Sequence, residues 1–342
     1  VSIVEKGAAG FEGITLLLCE NPLPPLPVAI EAAERELPRS NHYTEPFSGP
    51  LRTAIADRLA VAERHVHVNS GSELILRQLF ARLGRRAHLV TPTYSLFPEI
   101  AGACTRTQLL PEEQFRLDLA ALSLPDGTTL VAIVNPNNPN GGAFDMEPLP
   151  GLLHRHPDVW FLVDEAFVDL GGASVAHLVP EHDNLVVTRT FSKAHSLAGF
   201  RVGYAVAPAG LADELSAGND AYPLARPSQA AALATLEHQD AIDRRLVDLK
   251  AWTRELAQGL ERLGVRTYPT ETYFFLADFS PLDAAAVADA LRPHGILVKP
   301  LGDPSLGPGM MRMTTATPEE NEVVLEALEE ELGPIRSHSG LA

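Results

Sequence analysis

Lys193 stands in Thr190-Phe191-Ser192-Lys193, and Arg201 follows eight residues later in Ala198-Gly199-Phe200-Arg201-Val202-Gly203-Tyr204. An apolar run of β type, Asn184 to Thr190, precedes the lysine, and a small-residue segment leads into a second strand, Arg201 to Ala207. A lysine held at a strand end beside a hydroxyl and an arginine can bind an aldehyde cofactor covalently while its neighbours grip a phosphate. On this segment alone it reads as a solvated surface lysine. The segments upstream change that.

Gly71-Ser72-Glu73 opens a helix, where unpaired backbone N–H groups and the helix dipole favour an anion. Serine followed by an acid also serves simply as a cap. Pro92-Thr93-Tyr94 ends a strand, and Tyr94 is either a core aromatic or a ring that stacks on a flat partner. Asn135-Pro136-Asn137-Asn138-Pro139-Asn140-Gly141 follows the strand at Val134 and has the chemistry of a turn. Val163-Asp164-Glu165-Ala166-Phe167 ends the next strand; a carboxylate at such a C-terminal end is common in α/β sites and also caps helices.

These segments must be positioned by elements that the apolar pattern predicts. Ser72 to Leu83 carries Leu74, Ile75, Leu79, Phe80 and Leu83 at helical spacing. His88–Val90, Thr129–Val134, Val159–Val163, Leu185–Thr188 and Val202–Val206 are short apolar runs separated by helical stretches, the pattern of a parallel sheet buried on both faces. The proline-rich stretch Leu17 to Pro27 reads as an extended arm, followed by a helix over Val28 to Glu36. The strongest helical signal runs from Asp240 to Gly264, with Ile242, Leu246, Leu249, Trp252, Leu256, Leu260 and Leu263 on one stripe. A helix that long usually bridges two domains. Beyond it come strands near Tyr273–Asp278 and Ile296–Lys299, a helix near Leu282–Leu291, a short strand bearing Arg312, and an acidic amphipathic helix over Pro318–Leu332. The expected division is an arm and part of a small domain at 1–44, a large domain at 45–240 and a small α+β domain at 241–342, with the arm packed against the last.

Twenty-seven basic against 44 acidic side chains give a net charge of -17, which argues against nucleic-acid or anionic-membrane partners. An anionic ligand must therefore be held by a few aimed groups. Cys19 and Cys104 are the only cysteines and form no CxxC pair, so neither a disulfide framework nor a zinc site is expected, and a reducing cytoplasm fits. No apolar stretch approaches membrane-spanning length, and no basic-then-apolar signal pattern is present at the N-terminus.

Taken in order, these segments resemble the pyridoxal-phosphate (PLP) enzymes of fold type I, specifically the class I/II aminotransferases and, among these, the histidinol-phosphate aminotransferases. The resemblance runs from Glu20-Asn21-Pro22 to Arg312 and Thr317-Pro318-Glu319-Glu320-Asn321. It implies an α/β fold with a mostly parallel seven-stranded sheet and a small α+β domain. It implies PLP bound through Lys193, which would also shuttle the proton at the substrate α-carbon, with Asp164 pairing with the pyridinium nitrogen. Asn138 would bond the ring 3-hydroxyl and Tyr94 would stack on the ring. Ser72, Glu73, Ser192 and Arg201 would hold the phosphate, and Tyr43, in Asn41-His42-Tyr43-Thr44-Glu45-Pro46, would reach into the neighbouring subunit's phosphate site. A homodimer with shared active sites follows from that. Arg312 would bind the substrate α-carboxylate, and the implied reaction moves an amino group between an amino acid and a 2-oxo acid by a ping-pong route.

The chain departs from that pattern near the substrate. Phe167 stands where histidinol-phosphate aminotransferases usually have a tyrosine, as in threonine-phosphate decarboxylases, which makes a PLP lyase the alternative. Leu23 and Pro24 replace a tyrosine and a glycine near the substrate, Asn140 replaces a threonine, and Tyr273-Phe274 or Phe274-Phe275 replaces an asparagine-phenylalanine pair. More apolar groups point to a substrate side chain other than imidazole phosphate. Arg226 and Tyr222 either address an anionic side chain or lie on the surface, and His195 either faces the cofactor or packs in the post-lysine loop.

Overall fold

The computed structural model describes residues 11–218 and 221–338. The first ten residues of the expected arm and the last four of the chain lie outside them. Seven strands form the central sheet: β1 (Val66–Asn69), β2 (Ala87–Thr91), β3 (Thr105–Gln108), β4 (Leu130–Val134), β5 (Trp160–Asp164), β6 (Leu185–Thr190) and β7 (Gly203–Val206), in the spatial order β1-β7-β6-β5-β4-β2-β3. β2 through β6 run parallel, whereas β7 is antiparallel to both of its neighbours. The sheet is thus mixed and mostly parallel. The physical reason is the connection between β6 and β7: its short 3-10 turn, Ala198–Phe200, cannot make a parallel crossover, so the chain folds straight back. Lys193 sits on that return.

Strands β4 and β5 are completely buried except for Trp160, as expected for Val/Ile/Leu runs covered on both faces. One core layer packs the helix Ser72–Leu83 through Ile75, Leu76 and Leu79 onto Leu89, Ala132 and Leu162. The other packs Val131, Ile133, Phe161 and Val163 against Leu51, Ile55, Leu149 and Leu152. The sharp start of Ser72–Leu83 comes from Gly71 at φ 81°, in a region that favours glycine.

A second core lies in the C-terminal third, where Phe275, Val287, Leu291, Met311, Met313, Val324 and Leu328 pack together. Its four-stranded sheet is built on Phe274–Asp278 and Met310–Thr314, paired antiparallel with Leu276 opposite Arg312. The helix Gln239–Arg262 joins the two cores: Ile242, Leu246 and Leu249 belong to the first, Leu256 and Leu260 to the second. The N-terminal segment is tied to the second core, since Ile14–Thr15 pairs in parallel with Ile296–Leu297 and Leu16 is buried there. The helix after the arm runs from Pro27, at its first turn, to Glu36. Among the described residues no helix is long and apolar enough to cross a membrane.

Candidate active site

The carboxyl ends of the parallel strands converge on one cavity of about 510 Å³, the usual location for a ligand in an open α/β sheet. Sheet pairing sets Val134, Asp164 and Thr188 side by side on β4, β5 and β6. Asn138 and Lys193 follow just beyond the ends of β4 and β6, and Tyr94 just beyond β2; all three line the cavity with Asp164.

Asp164 is 3 % exposed and accepts a 2.8 Å hydrogen bond from the Thr188 hydroxyl. Burial pushes its carboxyl up to about 7; the Thr188 and Ala166 donors oppose this, while the adjacent Glu165 charge adds to it. A buried carboxylate held this way gains from a cation brought against it. Lys193 is half-buried, with its Nζ 5.7 Å from the centroid of the Phe167 ring. Burial lowers its pKa, and the Arg312 and Arg201 cations act in the same direction against Cys19 and Glu20. The Nζ donates to the carbonyls of Leu18 (2.8 Å) and Cys19 (3.0 Å).

One end of the cavity combines a helix start with the side chains of Ser192 and Arg201. Ser72 and Glu73 begin the helix Ser72–Leu83. The Glu73 carboxylate is engaged by Arg77 at 2.9 Å, so what it offers an anion is its N–H. Ser192, which lines the same cavity, takes its place through the Thr190 hydroxyl, which accepts from its N–H at 3.1 Å and donates to its Oγ at 3.0 Å. Arg201, at φ 55°, is exposed, lies over Gly71 and donates to the Ala198 carbonyl at 3.2 Å. A Cβ on Gly71 would collide with the Arg201 guanidinium, and one on Gly203 with the backbone nitrogen of Ser72. Gly203 is needed for this backbone approach, whereas Gly71 is favoured by its φ of 81°, since the flexible arginine can move aside.

Arg312 closes the opposite side from its strand in the second sheet. Its Nη1 donates to Asn138 Oδ1 at 2.9 Å, its Nη2 to the Leu17 carbonyl, and its buried Nε has no partner among the described residues. The guanidinium lines the cavity, and a group of this kind is suited to a carboxylate. Lys299 also lines the cavity and is paired in register with Arg312.

Four residues weighed for the site, Leu23, Tyr43, Arg226 and His195, lie outside this cavity. Leu23 lines an adjoining cavity of about 610 Å³ that shares Glu20, Ser192, Ala198 and Gly199 with the first. Tyr43 is 78 % exposed and stacks on Tyr222 with ring centroids 4.5 Å apart, away from the cavity of its own chain. Arg226 joins them there, paired with Glu36 at 2.6 Å and donating to the Tyr43 carbonyl. His195 is buried against Phe191, with ring centroids 4.9 Å apart, and does not line the cavity. Sequence reasoning missed Thr188 and the carbonyls of residues 16–19, and named Tyr273 without its bond to the Cys19 carbonyl. A threonine two residues before the strand end was a legible signal for the first; backbone carbonyls leave none in residue type.

Similarity to known proteins agrees with this geometry. The model of the family "Aminotransferase class I and II" matches residues 14–328. A histidinol-phosphate aminotransferase of Acinetobacter baumannii (strain SDF) is 32% identical over 325 residues, covering 92% of this chain and 89% of that protein. The crystal structure of histidinol-phosphate aminotransferase from Sinorhizobium meliloti in complex with pyridoxal-5'-phosphate matches with a TM-score of 0.88 at 23% identity, over 97% of this chain and 94% of that one. L-threonine-O-3-phosphate decarboxylase from Porphyromonas gingivalis matches with a TM-score of 0.83 at 23% identity, over 94% and 99%. The two structural likenesses establish the fold, that of the PLP enzymes of fold type I. With the family match over most of its length and the Acinetobacter relative at 32% identity, the chain belongs to the class I and II aminotransferases, the PLP-dependent family that the motifs around Lys193 resemble.

Proposed function

We propose that this protein moves an amino group between an amino acid and a 2-oxo acid, in the manner of the histidinol-phosphate aminotransferases, with PLP as cofactor. The observation that carries the reading is the convergence of Lys193, Asp164, Asn138 and Arg312 on one cavity that ends in the tight backbone approach of Gly203 to Ser72. These residues fit the cofactor. A glycine-lined helix start and Arg201 suit its phosphate, a buried carboxylate suits a ring cation, and the Arg312 guanidinium lining the cavity suits a substrate carboxylate. When bound, PLP supplies the aldehyde and an electron-accepting ring. Asp164 favours the protonated ring nitrogen, and Asn138 is held by Arg312 to donate through its amide. Arg312 would orient the substrate α-carbon, and the lowered pKa of Lys193 would let its amine take the α-proton and pass it on across the same face.

A homodimer with shared sites is part of the proposal, supported by the exposed, stacked Tyr43 lying outside its own cavity. The free Cys19 and Cys104 support a reducing, cytoplasmic setting. The apolar Leu23 and Pro24 in the adjoining cavity, and the capture of Arg226 by Glu36, support a substrate side chain other than imidazole phosphate. Phe167 lines the cavity without a hydroxyl, the residue type that resembles threonine-phosphate decarboxylases, and so supports the second reading, a decarboxylase of a phosphorylated hydroxy-amino acid. A panel of amino donors with 2-oxo acceptors, scored for new amino acid and for carbon dioxide, tests both. Exchange of amino groups without gas supports transamination; stoichiometric carbon dioxide overturns it.

A further inference from the structure

Four consecutive backbone carbonyls of the arm are each bound by a side chain of the site. Leu16 O accepts from the Thr314 hydroxyl at 3.1 Å, and Leu17 O from Arg312 Nη2. Leu18 O accepts from Lys193 Nζ at 2.8 Å, and Cys19 O from both Lys193 Nζ (3.0 Å) and the Tyr273 hydroxyl (2.7 Å). Cys19 is buried and adopts φ 49°, a left-handed conformation that a non-glycine residue keeps only when its surroundings over-determine it. Asn21 clamps the arm from the other side, donating to the carbonyls of Lys193 (3.1 Å) and Ala194 (3.3 Å).

A neutral amine has two N–H donors and one lone pair. When two carbonyls take both N–H groups, the lone pair is confined to the remaining tetrahedral direction. We propose that the Leu18 and Cys19 carbonyls orient the free amine of Lys193 as a base, and that Tyr273 is a positioning residue that holds the Cys19 carbonyl in place. The proposal rests on the aminotransferase reading and deepens it. As the substrate Cα–H bond breaks, an N–H bond forms along the oriented lone pair and the electron pair passes to the bound cofactor. The ammonium would then hold the transferred proton on that same face, from which it would be released, as the N–H bond breaks, to the cofactor carbon that had carried the aldehyde. One geometry thus serves both removal and delivery of the proton. The burial and cationic neighbours that lower the Lys193 pKa keep the neutral amine accessible.

The test is Tyr273→Phe, which keeps the ring packing against Phe167 and Phe274 and removes the hydroxyl. In the PLP-loaded enzyme kcat should fall roughly tenfold or more with KM within about twofold, and the primary isotope effect with an α-deuterated donor should rise. A second readout needs no turnover. Trace acetylation of the cofactor-free protein across pH, quantified by peptide mass spectrometry with Lys250 as internal reference, should show the Lys193 midpoint moving down in the variant, as the Cys19 carbonyl loses its anchor, turns away and no longer supports the ammonium form. Cys19→Gly, which frees the left-handed residue, should shift both readouts the same way and covers the case where Tyr273→Phe does not fold. An unchanged isotope effect together with an unchanged labelling profile overturns the proposal. Failure of the wild type to turn over any donor overturns the aminotransferase reading instead, and leaves the labelling result to stand by itself.

Discussion

Gly203 lies against Ser72 so closely that a Cβ on the strand residue would overlap the backbone nitrogen at the helix start. Strand β7 and the helix Ser72–Leu83 are thereby locked together at the proposed phosphate site. Gly203→Ala forces the helix start to shift by overpacking worth about 1–3 kcal/mol. Cofactor affinity, read by fluorescence titration, should drop roughly 5- to 150-fold. Unchanged affinity would remove Ser72 from the phosphate site.

Asp164 predicts a pH-dependent trade between stability and binding. Its native pKa of about 7 lies above the ordinary 3.8, so the native state holds the proton more tightly than the unfolded chain. Stability from this group is therefore full below the lower value, is lost as pH rises through about 7, and stays lost above it. Without cofactor, Asp164→Asn should be the more stable protein at pH 8 by an amount on the order of a few kcal/mol, with the difference vanishing near pH 4. The same variant should bind PLP more weakly. Urea unfolding at the two pH values checks the first statement and cofactor titration the second.

Arg312→Ala should raise KM for the amino donor roughly 10- to 150-fold, since charge-assisted hydrogen bonds contribute about 1.5–3 kcal/mol. Cofactor should stay bound, because no phosphate or ring contact is removed. Arg312→Lys should recover little, as an ammonium cannot serve Asn138, Leu17 and a carboxylate in one plane. Steady-state kinetics with saturating PLP decides this; an unchanged KM would show that the carboxylate binds elsewhere.

Glu165 and Arg189 form a buried ion pair at 2.7 Å, directly behind Asp164 and on the strand that leads to Lys193. Ser174 Oγ donates to the Glu165 carboxylate at 2.9 Å and accepts from Arg189 at 2.7 Å, and the Val175 N–H donates to the carboxylate at 2.6 Å. Arg189→Met strands the carboxylate and should destabilise by about 3–5 kcal/mol, whereas Glu165→Gln with Arg189→Met should recover most of the loss. Chemical denaturation of both variants tests it, and equal losses would mean that packing rather than charge is at stake.

Much of this was legible in the chain because strong periodicity and chemistry coincide. Ser72 to Leu83 forms the helix its apolar spacing predicts, and the long helix spans Gln239–Arg262 with its stripe divided between two cores. Lys193, Asp164, Asn138 and Arg312 come together because strand ends on one edge of a parallel sheet share a cavity. Other parts left weaker traces. The edge strand Thr105–Gln108 is polar and largely exposed, so it carries no apolar run, and Arg226–Leu236 is rich in small residues that pack on Pro27–Glu36 without a bold stripe. The antiparallel direction of β7 follows from a short connection rather than from the strand's own residues. Leu18 and Cys19 act through carbonyls that any residue possesses, and Tyr273 acquires its role only through an arm far away in sequence.

The most direct test of the central claim is a single-turnover titration of the PLP-loaded protein with one amino acid at a time, each followed by a 2-oxo acid. The account predicts that an effective donor abolishes the visible absorption of the bound cofactor, with release of its oxo acid, and that an acceptor restores it. Carbon dioxide release with no such reversible interconversion, or turnover retained by Lys193→Ala, would contradict it.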